Sequence, residues 1–168
     1  MNLYLMRHGI ALERNDPSAV DDDGRPLSPK GEKRTRKIAK GIQRLDIPFD
    51  VLLTSPLARA RQTVDIVAAA LGAEARVEEI ASLAPNSAFA QLTADLGRYR
   101  DRKHLLLVSH EPLLSGTLSS LLVGDSATRL DFEFRKGALC RIEIDSPARP
   151  HPGKLHWFLT PKQLRLLG

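Results

Sequence analysis

Leu105-Leu106-Leu107-Val108, bounded by His104 and Ser109, is an unbroken apolar run with no polar alternation. A strand of that composition is buried on both faces, which requires a mainly parallel sheet covered by helices above and below. The rest of the chain fits such a sheet. Asn2 to Met6 reads as a first strand, and the polar stretch Ile10 to Gly24, with Asp21-Asp22-Asp23-Gly24, marks a loop. Ser28 and Pro29 are an N-cap and a first helical residue for a helix to about Leu45. Pro48 blocks its continuation, and Asp50 to Thr54 forms a second strand ending at Ser55. From Pro56, residues Leu57, Ala60, Val64, Val67, Ala68 and Leu71 recur at helical spacing up to Gly72.

Arg76 to Ile80 predicts a third strand, and Asn86 to Asp101 a helix with Phe89, Leu92 and Leu96 on one face. The apolar strand at His104 is followed by a helix over Pro112 to Val123. Leu130 to Arg135, a Lys136-Gly137 turn and Ala138 to Asp145 predict an antiparallel hairpin, with Lys154 to Leu159 as a last strand before a short terminal helix. The expected fold class is α/β: three layers, a mainly parallel sheet with helices on both faces, and an antiparallel edge hairpin. At 168 residues, without a linker-like stretch, residues 1–168 read as a single domain.

With 42% apolar and 27% charged residues, the chain is neither disordered nor fibrous. Its apolar runs are too short for a membrane span, and the first, broken by Arg7-His8, does not read as a signal peptide. The single cysteine, Cys140, lies in a strand-like stretch and reads as a core residue, so the expected compartment is the cytoplasm. Much of the net charge of +5 comes from one helix, where Lys30, Lys33, Arg34, Arg36, Lys37, Lys40 and Arg44 surround the stripe Ile38, Ile42 and Leu45. That face reads first as solvated and second as a docking surface for an acidic protein. Nucleic acid is not expected as a partner, because only 5% of residues are aromatic and none interleaves with the basic run.

In an open α/β sheet the ligand crevice lies beyond the carboxyl ends of the strands. Arg7-His8-Gly9 follows strand one, Ser55 follows strand two, and Ser109-His110-Glu111-Pro112 follows the apolar strand, so all three segments open on one edge. Arg7 and Arg59 supply planar forks that match phosphate oxygens, and the helices starting near Pro56 and Pro112 aim N-terminal N–H groups at the same place. A lone histidine or arginine usually has a plain structural role. Two of each at one crevice would repel one another without an anion between them. Zinc is a poor rival, since no third ligand stands at suitable spacing and the arginines would repel a cation. His104, His151 and His156 lie away from this edge and read as surface or strand residues.

Arg7-His8-Gly9, Ser55-Pro56-Leu57-x-Arg59-Ala60-x-Gln62-Thr63 and Ser109-His110-Glu111-Pro112, in that order, resemble the three signature blocks of the histidine phosphatase superfamily, which contains phosphoglycerate mutase. The Asp-rich loop leading to Arg25-Pro26-Leu27-Ser28-Pro29-x-Gly31 and the short length resemble its SixA-type phosphohistidine phosphatases. The resemblance implies a phosphoglycerate mutase-like fold with His8 as nucleophile, Arg7, Arg59 and His110 around the phosphate, and no metal or other cofactor. A neutral His8 would attack phosphorus in line, its other nitrogen held as N–H by a nearby acceptor, while a protonated His110 and the arginines stabilise the phosphoryl oxygens. Gly9, Ser55 and Glu111 join Arg7 and Arg59 as expected substrate-binding residues.

Larger members place a carboxylate general acid after the third strand, whereas here Leu83-Ala84-Pro85-Asn86 offers none, with Glu111 as the reserve acid. An imidazole leaving nitrogen needs less proton assistance than an alkoxide, so the gap suits phosphohistidine. The expected partner is therefore a protein phosphorylated on histidine, such as a phosphotransfer domain in signalling. A small phosphorylated metabolite is the runner-up, and a non-catalytic phosphate-binding adaptor the alternative of another class. Oligomeric state is left open.

Overall fold

The computed structural model describes residues 1–17, 21–124, 130–150 and 152–168. Six strands, β1 (Asn2–Arg7), β2 (Val51–Thr54), β3 (Val77–Glu79), β4 (His104–Ser109), β5 (Leu139–Glu143) and β6 (Lys154–Leu159), form one sheet in the order β3-β2-β4-β1-β5-β6. β3, β2, β4 and β1 run parallel, while β5 is antiparallel to both β1 and β6. The helices are α1 (Pro29–Arg44), α2 (Ala58–Leu71), α3 (Phe89–Leu96), α4 (Leu113–Val123) and α5 (Pro161–Leu167).

Successive strand residues point to opposite faces, which divides the core in two. Leu3, Leu5, Leu53, Leu105 and Leu107 pack against Leu92 and Leu96 of α3 and Leu114 and Leu118 of α4. Tyr4, Met6, Leu52, Leu106 and Val108 pack against Ile38 and Ile42 of α1, Val64 and Val67 of α2, and Leu164 of α5. Both faces of β4 are thus covered, as its composition requires. Cys140 is fully buried in β5. Ser28 caps α1 through its side chain, which accepts from Gly31 N–H at 3.0 Å, and α2 closes at Gly72 with left-handed backbone.

Two elements differ from the sequence expectation. Leu130–Arg135 forms no strand and no hairpin with β5, because both edges of β5 are already taken by β1 and β6. The antiparallel edge is β5–β6 instead, and Phe134 turns fully into the core. The helix expected over Asn86 to Asp101 is shorter: α3 starts at Phe89 and gives way to a tighter turn at Gly97–Tyr99. Ser87 is held in the preceding turn, donating through its N–H to Ala84 O at 3.1 Å and through Oγ to Ala81 O at 3.1 Å. Elsewhere the bounds shift by one or two residues. α2 begins at Ala58 because Ser55-Pro56-Leu57 makes the turn out of β2, with Leu57 N–H donating to Ser55 Oγ at 3.2 Å.

Candidate active site

β2, β4 and β1 are parallel neighbours, with Thr54 beside Val108 and Arg7 beside Ser109, so Ser55, His110 and His8 leave the sheet at one edge. Two further backbone bonds extend the ladder past the strand ends, His8 N–H to Ser109 O at 3.0 Å and Ser55 N–H to Val108 O at 3.1 Å. The rings of His8 and His110 come to 4.9 Å between centroids. A cavity of about 820 Å³ opens over them, lined by Arg7, Arg59, Glu111, Asp22, Arg25 and Lys136, and by the turn at residues 84–87.

His8 Nδ1 lies 2.7 Å from Gly9 O. A carbonyl only accepts, so Nδ1 carries the hydrogen and Nε2 keeps its lone pair. Burial, then the neighbouring His110, Arg59 and Arg7, push the imidazolium down to about 2 against the opposing pull of the Gly9 carbonyl. The ring is neutral at pH 7. His110 Nε2 lies 2.8 Å from Ser55 Oγ. Because Ser55 Oγ already accepts from Leu57 N–H, its own hydrogen is free to go to Nε2, which assigns the His110 hydrogen to Nδ1. Burial and the guanidiniums of Arg59 and Arg7 push His110 down to about 3. The protonated His110 expected from sequence is therefore corrected to a neutral ring with a directed N–H.

The arginines are anchored at one end and unpaired at the other. Arg7 donates through NH1 to Phe134 O at 2.6 Å, and Arg59 donates to Asp22 O at 2.5 Å and to Asp22 Oδ2 at 3.2 Å. The Nε atoms of both, and Nδ1 of His110, are buried without a hydrogen-bond partner among the described residues. An unsatisfied buried donor costs roughly 1–3 kcal/mol. All three belong to residues that line the cavity, and two guanidiniums with a histidine gathered there match a tetrahedral oxyanion.

Ser55 and Gly9 do not line this cavity. Ser55 is fully buried behind His110. Gly9 lets α1, rather than a substrate, approach: a Cβ there would collide with Thr35 Oγ1, while the Gly9 N–H donates to Thr63 Oγ1 at 2.9 Å. Glu111 is half-buried on the cavity wall. Ser115 Oγ donates to its Oε2 at 2.6 Å, its Oε1 is buried without a partner among the described residues, and burial holds the carboxyl above its ordinary value.

Sequence reasoning missed Asp22, Arg25 and Lys136. Asp22 Oδ1 accepts from Arg25 Nε at 3.1 Å and NH2 at 2.8 Å, so one carboxylate holds both Arg25 and Arg59. The i,i+3 spacing of opposite charges at 22 and 25 is a sequence signal for the first of these pairs. Lys136, at the tip of the turn before β5, has no such signal. Its ammonium is pushed down by burial and by Arg7, Arg25 and Arg59. His104 begins β4 at the far edge, with Nδ1 3.0 Å from Tyr4 OH, and His156 Nε2 sits 2.7 Å from Glu143 Oε2. His151 lies outside the described residues. Among the described residues, no group of three or more His, Cys, Asp or Glu side chains is arranged to hold a metal ion, and no helix is long and apolar enough to cross a membrane.

A family profile described as histidine phosphatase superfamily, branch 1, matches residues 3–83. The chain is 41% identical over 137 residues to an uncharacterized protein of Picosynechococcus sp., covering 79% of this chain and 80% of that one. It is 25% identical over 168 residues to phosphohistidine phosphatase SixA of Escherichia coli, covering 99% and 98%. A solved structure of the protein histidine phosphatase SixA complexed with tungstate superposes with a TM-score of 0.82 at 26% identity, covering 98% of this chain and 99% of that chain. With a phosphoglycerate mutase-like sheet, two facing histidines and these relatives, the chain belongs to the histidine phosphatase superfamily and is a phosphatase.

Proposed function

We propose that the protein removes the phosphoryl group from phosphohistidine on a protein, through a covalent intermediate on His8. The observation that carries this reading is the neutral His8, with its Nε2 lone pair kept, in one cavity with Arg7, Arg59 and His110. The lone pair attacks phosphorus as the bond to the leaving nitrogen breaks, while the donors hold the phosphoryl oxygens. Water then cleaves the phosphorus–Nε2 bond, releasing inorganic phosphate and restoring the neutral ring. The turn at Ala84 to Ser87 puts no carboxylate on the cavity wall, which suits a leaving nitrogen that needs little proton assistance. Likeness to SixA along nearly the whole chain supports the same substrate class.

One observation favours a second reading, hydrolysis of small phosphate esters. The half-buried Glu111, whose carboxyl is held above its usual range, stands where it could protonate an alkoxide. Rates on a phosphohistidine peptide and on sugar and nucleotide phosphates separate the two. For the covalent step, labelled phosphate should stay on the wild-type chain after a rapid alkaline quench, which preserves phosphohistidine, and be missing from His8→Ala. Label on that variant, or its near-normal turnover, sinks the assignment.

A further inference from the structure

A second groove, of about 620 Å³, lies next to the active-site cavity and shares Arg7 and Lys136 with it. Its floor is largely apolar, with Ile10, Ile38 and Pro161, and its rim carries Arg34, Arg135, Lys136, Lys162 and Arg165. These cations come from α1, from the turn before β5 and from α5, so the fold gathers them from three distant parts of the sequence. Among the described residues, no carboxylate lines the groove. Among the described residues only Arg135 of these five forms an ion pair, with Glu133 at 2.9 Å. The active-site cavity, by contrast, sets Glu13, Asp22, Asp23 and Glu111 among its cations.

Unpaired like charges around an apolar floor repel one another, and an acidic segment bearing an apolar residue relieves that repulsion while covering the floor. A nucleic acid would answer the charge but not the floor, to which the described residues bring no aromatic side chain for a base to stack on. The position of the groove is fixed relative to the site. Gly137, at φ 87, donates its N–H to Arg7 O at 3.0 Å, and Arg7 N–H donates to Ala138 O at 3.1 Å, so the Lys136 turn forms a lip between the two depressions.

We propose that this groove docks an acidic segment of the phosphoprotein whose phosphohistidine enters the active-site cavity. The proposal rests on the phosphohistidine reading and adds the charge of the partner's neighbouring surface.

Two synthetic peptides carrying phosphohistidine, one flanked by Asp and Glu and one by Ser and Gln, test it with the full chain. Wild type should favour the acidic peptide by about tenfold in kcat/KM, as expected for several exposed charge pairs acting together. The triple variant Arg34→Ala, Lys162→Ala, Arg165→Ala should lose that preference and keep the wild-type rate on phosphoramidate, which is too small to reach the groove. Lys33→Ala, Lys37→Ala, Lys40→Ala removes equal charge from the exposed face of α1, away from the groove, and should keep the preference. Equal wild-type rates on the two peptides, or an equal loss in both triple variants, would overturn the groove. So would an oligonucleotide that inhibits more strongly than a Glu-rich peptide. Turnover of p-nitrophenyl phosphate with hydrolysis of neither peptide would overturn the phosphohistidine reading itself.

Discussion

Ser55 Oγ sits 2.8 Å from His110 Nε2, and that single bond decides which nitrogen of His110 bears hydrogen. In Ser55→Ala the ring is free to take the other tautomer or to turn. kcat should fall roughly tenfold, in line with the loss of an orienting partner. The phosphoryl group is still met by both arginines, so KM should move less. A proportional loss of folded protein with unchanged kcat per folded molecule would show that Ser55 only packs.

Acid should weaken the fold before it stops the chemistry. His8 and His110 titrate near 6.5 when unfolded but are pushed to about 2 and about 3 in the fold. Between those values the unfolded chain binds protons that the folded chain does not. Their contribution is therefore intact above about pH 6.5 and declines as pH falls toward 3, by about 1.4 kcal/mol per pH unit for each ring. Urea midpoints at pH 7, 6 and 5 should fall for wild type and flatten in the double variant His8→Asn, His110→Asn. Over the same range kcat/KM should lack an acid limb near 6.5, because the nucleophile stays neutral.

Asp22 holds two guanidiniums at once, accepting from Arg25 through Oδ1 and from Arg59 through Oδ2. Asp22→Asn keeps the shape and removes the charge that restrains Arg59. Charge-assisted bonds of this kind are about twice as strong as neutral ones, so KM for a phosphate ester should rise several-fold. The carboxylate is half exposed, and the urea midpoint should hardly change. A drop in kcat with unaltered KM would place Asp22 in the chemistry instead.

Glu111→Gln separates substrates by their leaving groups. An alkyl phosphate, whose leaving oxygen needs a proton, should slow by roughly a hundredfold, the usual size of a general-acid contribution. Phosphohistidine and p-nitrophenyl phosphate should slow by much less. Equal loss on all three would mean that Glu111, accepting from Ser115, serves only to shape the turn into α4.

The parts legible in the sequence are those set by local chemistry. Leu105 to Val108 admits only a doubly covered strand, and β4 and β6 have their expected bounds. Ser28-Pro29 fixes the start of α1. His8, Arg59 and His110 are legible as one site because three strand ends announce them and the strands are parallel neighbours. Residues 130–135 mislead because alternating Leu130, Phe132 and Phe134 satisfy the strand pattern, yet a hairpin with β5 needs a free edge of β5, and β1 and β6 take both. The charge state of His110 was hidden for another reason. It depends on burial and on two guanidiniums far away in sequence, which no local window contains.

The adjacency of β1 and β4 has one more consequence. His8 and His110 stand at opposite ends of the first two-thirds of the chain and meet only when the two innermost strands zip side by side. A fragment that lacks either strand lacks one of the two facing histidines. Turnover is therefore a direct gauge of whether the centre of the molecule has assembled, and during refolding activity should return in step with protection of the Leu5 and Leu107 amides, not before it.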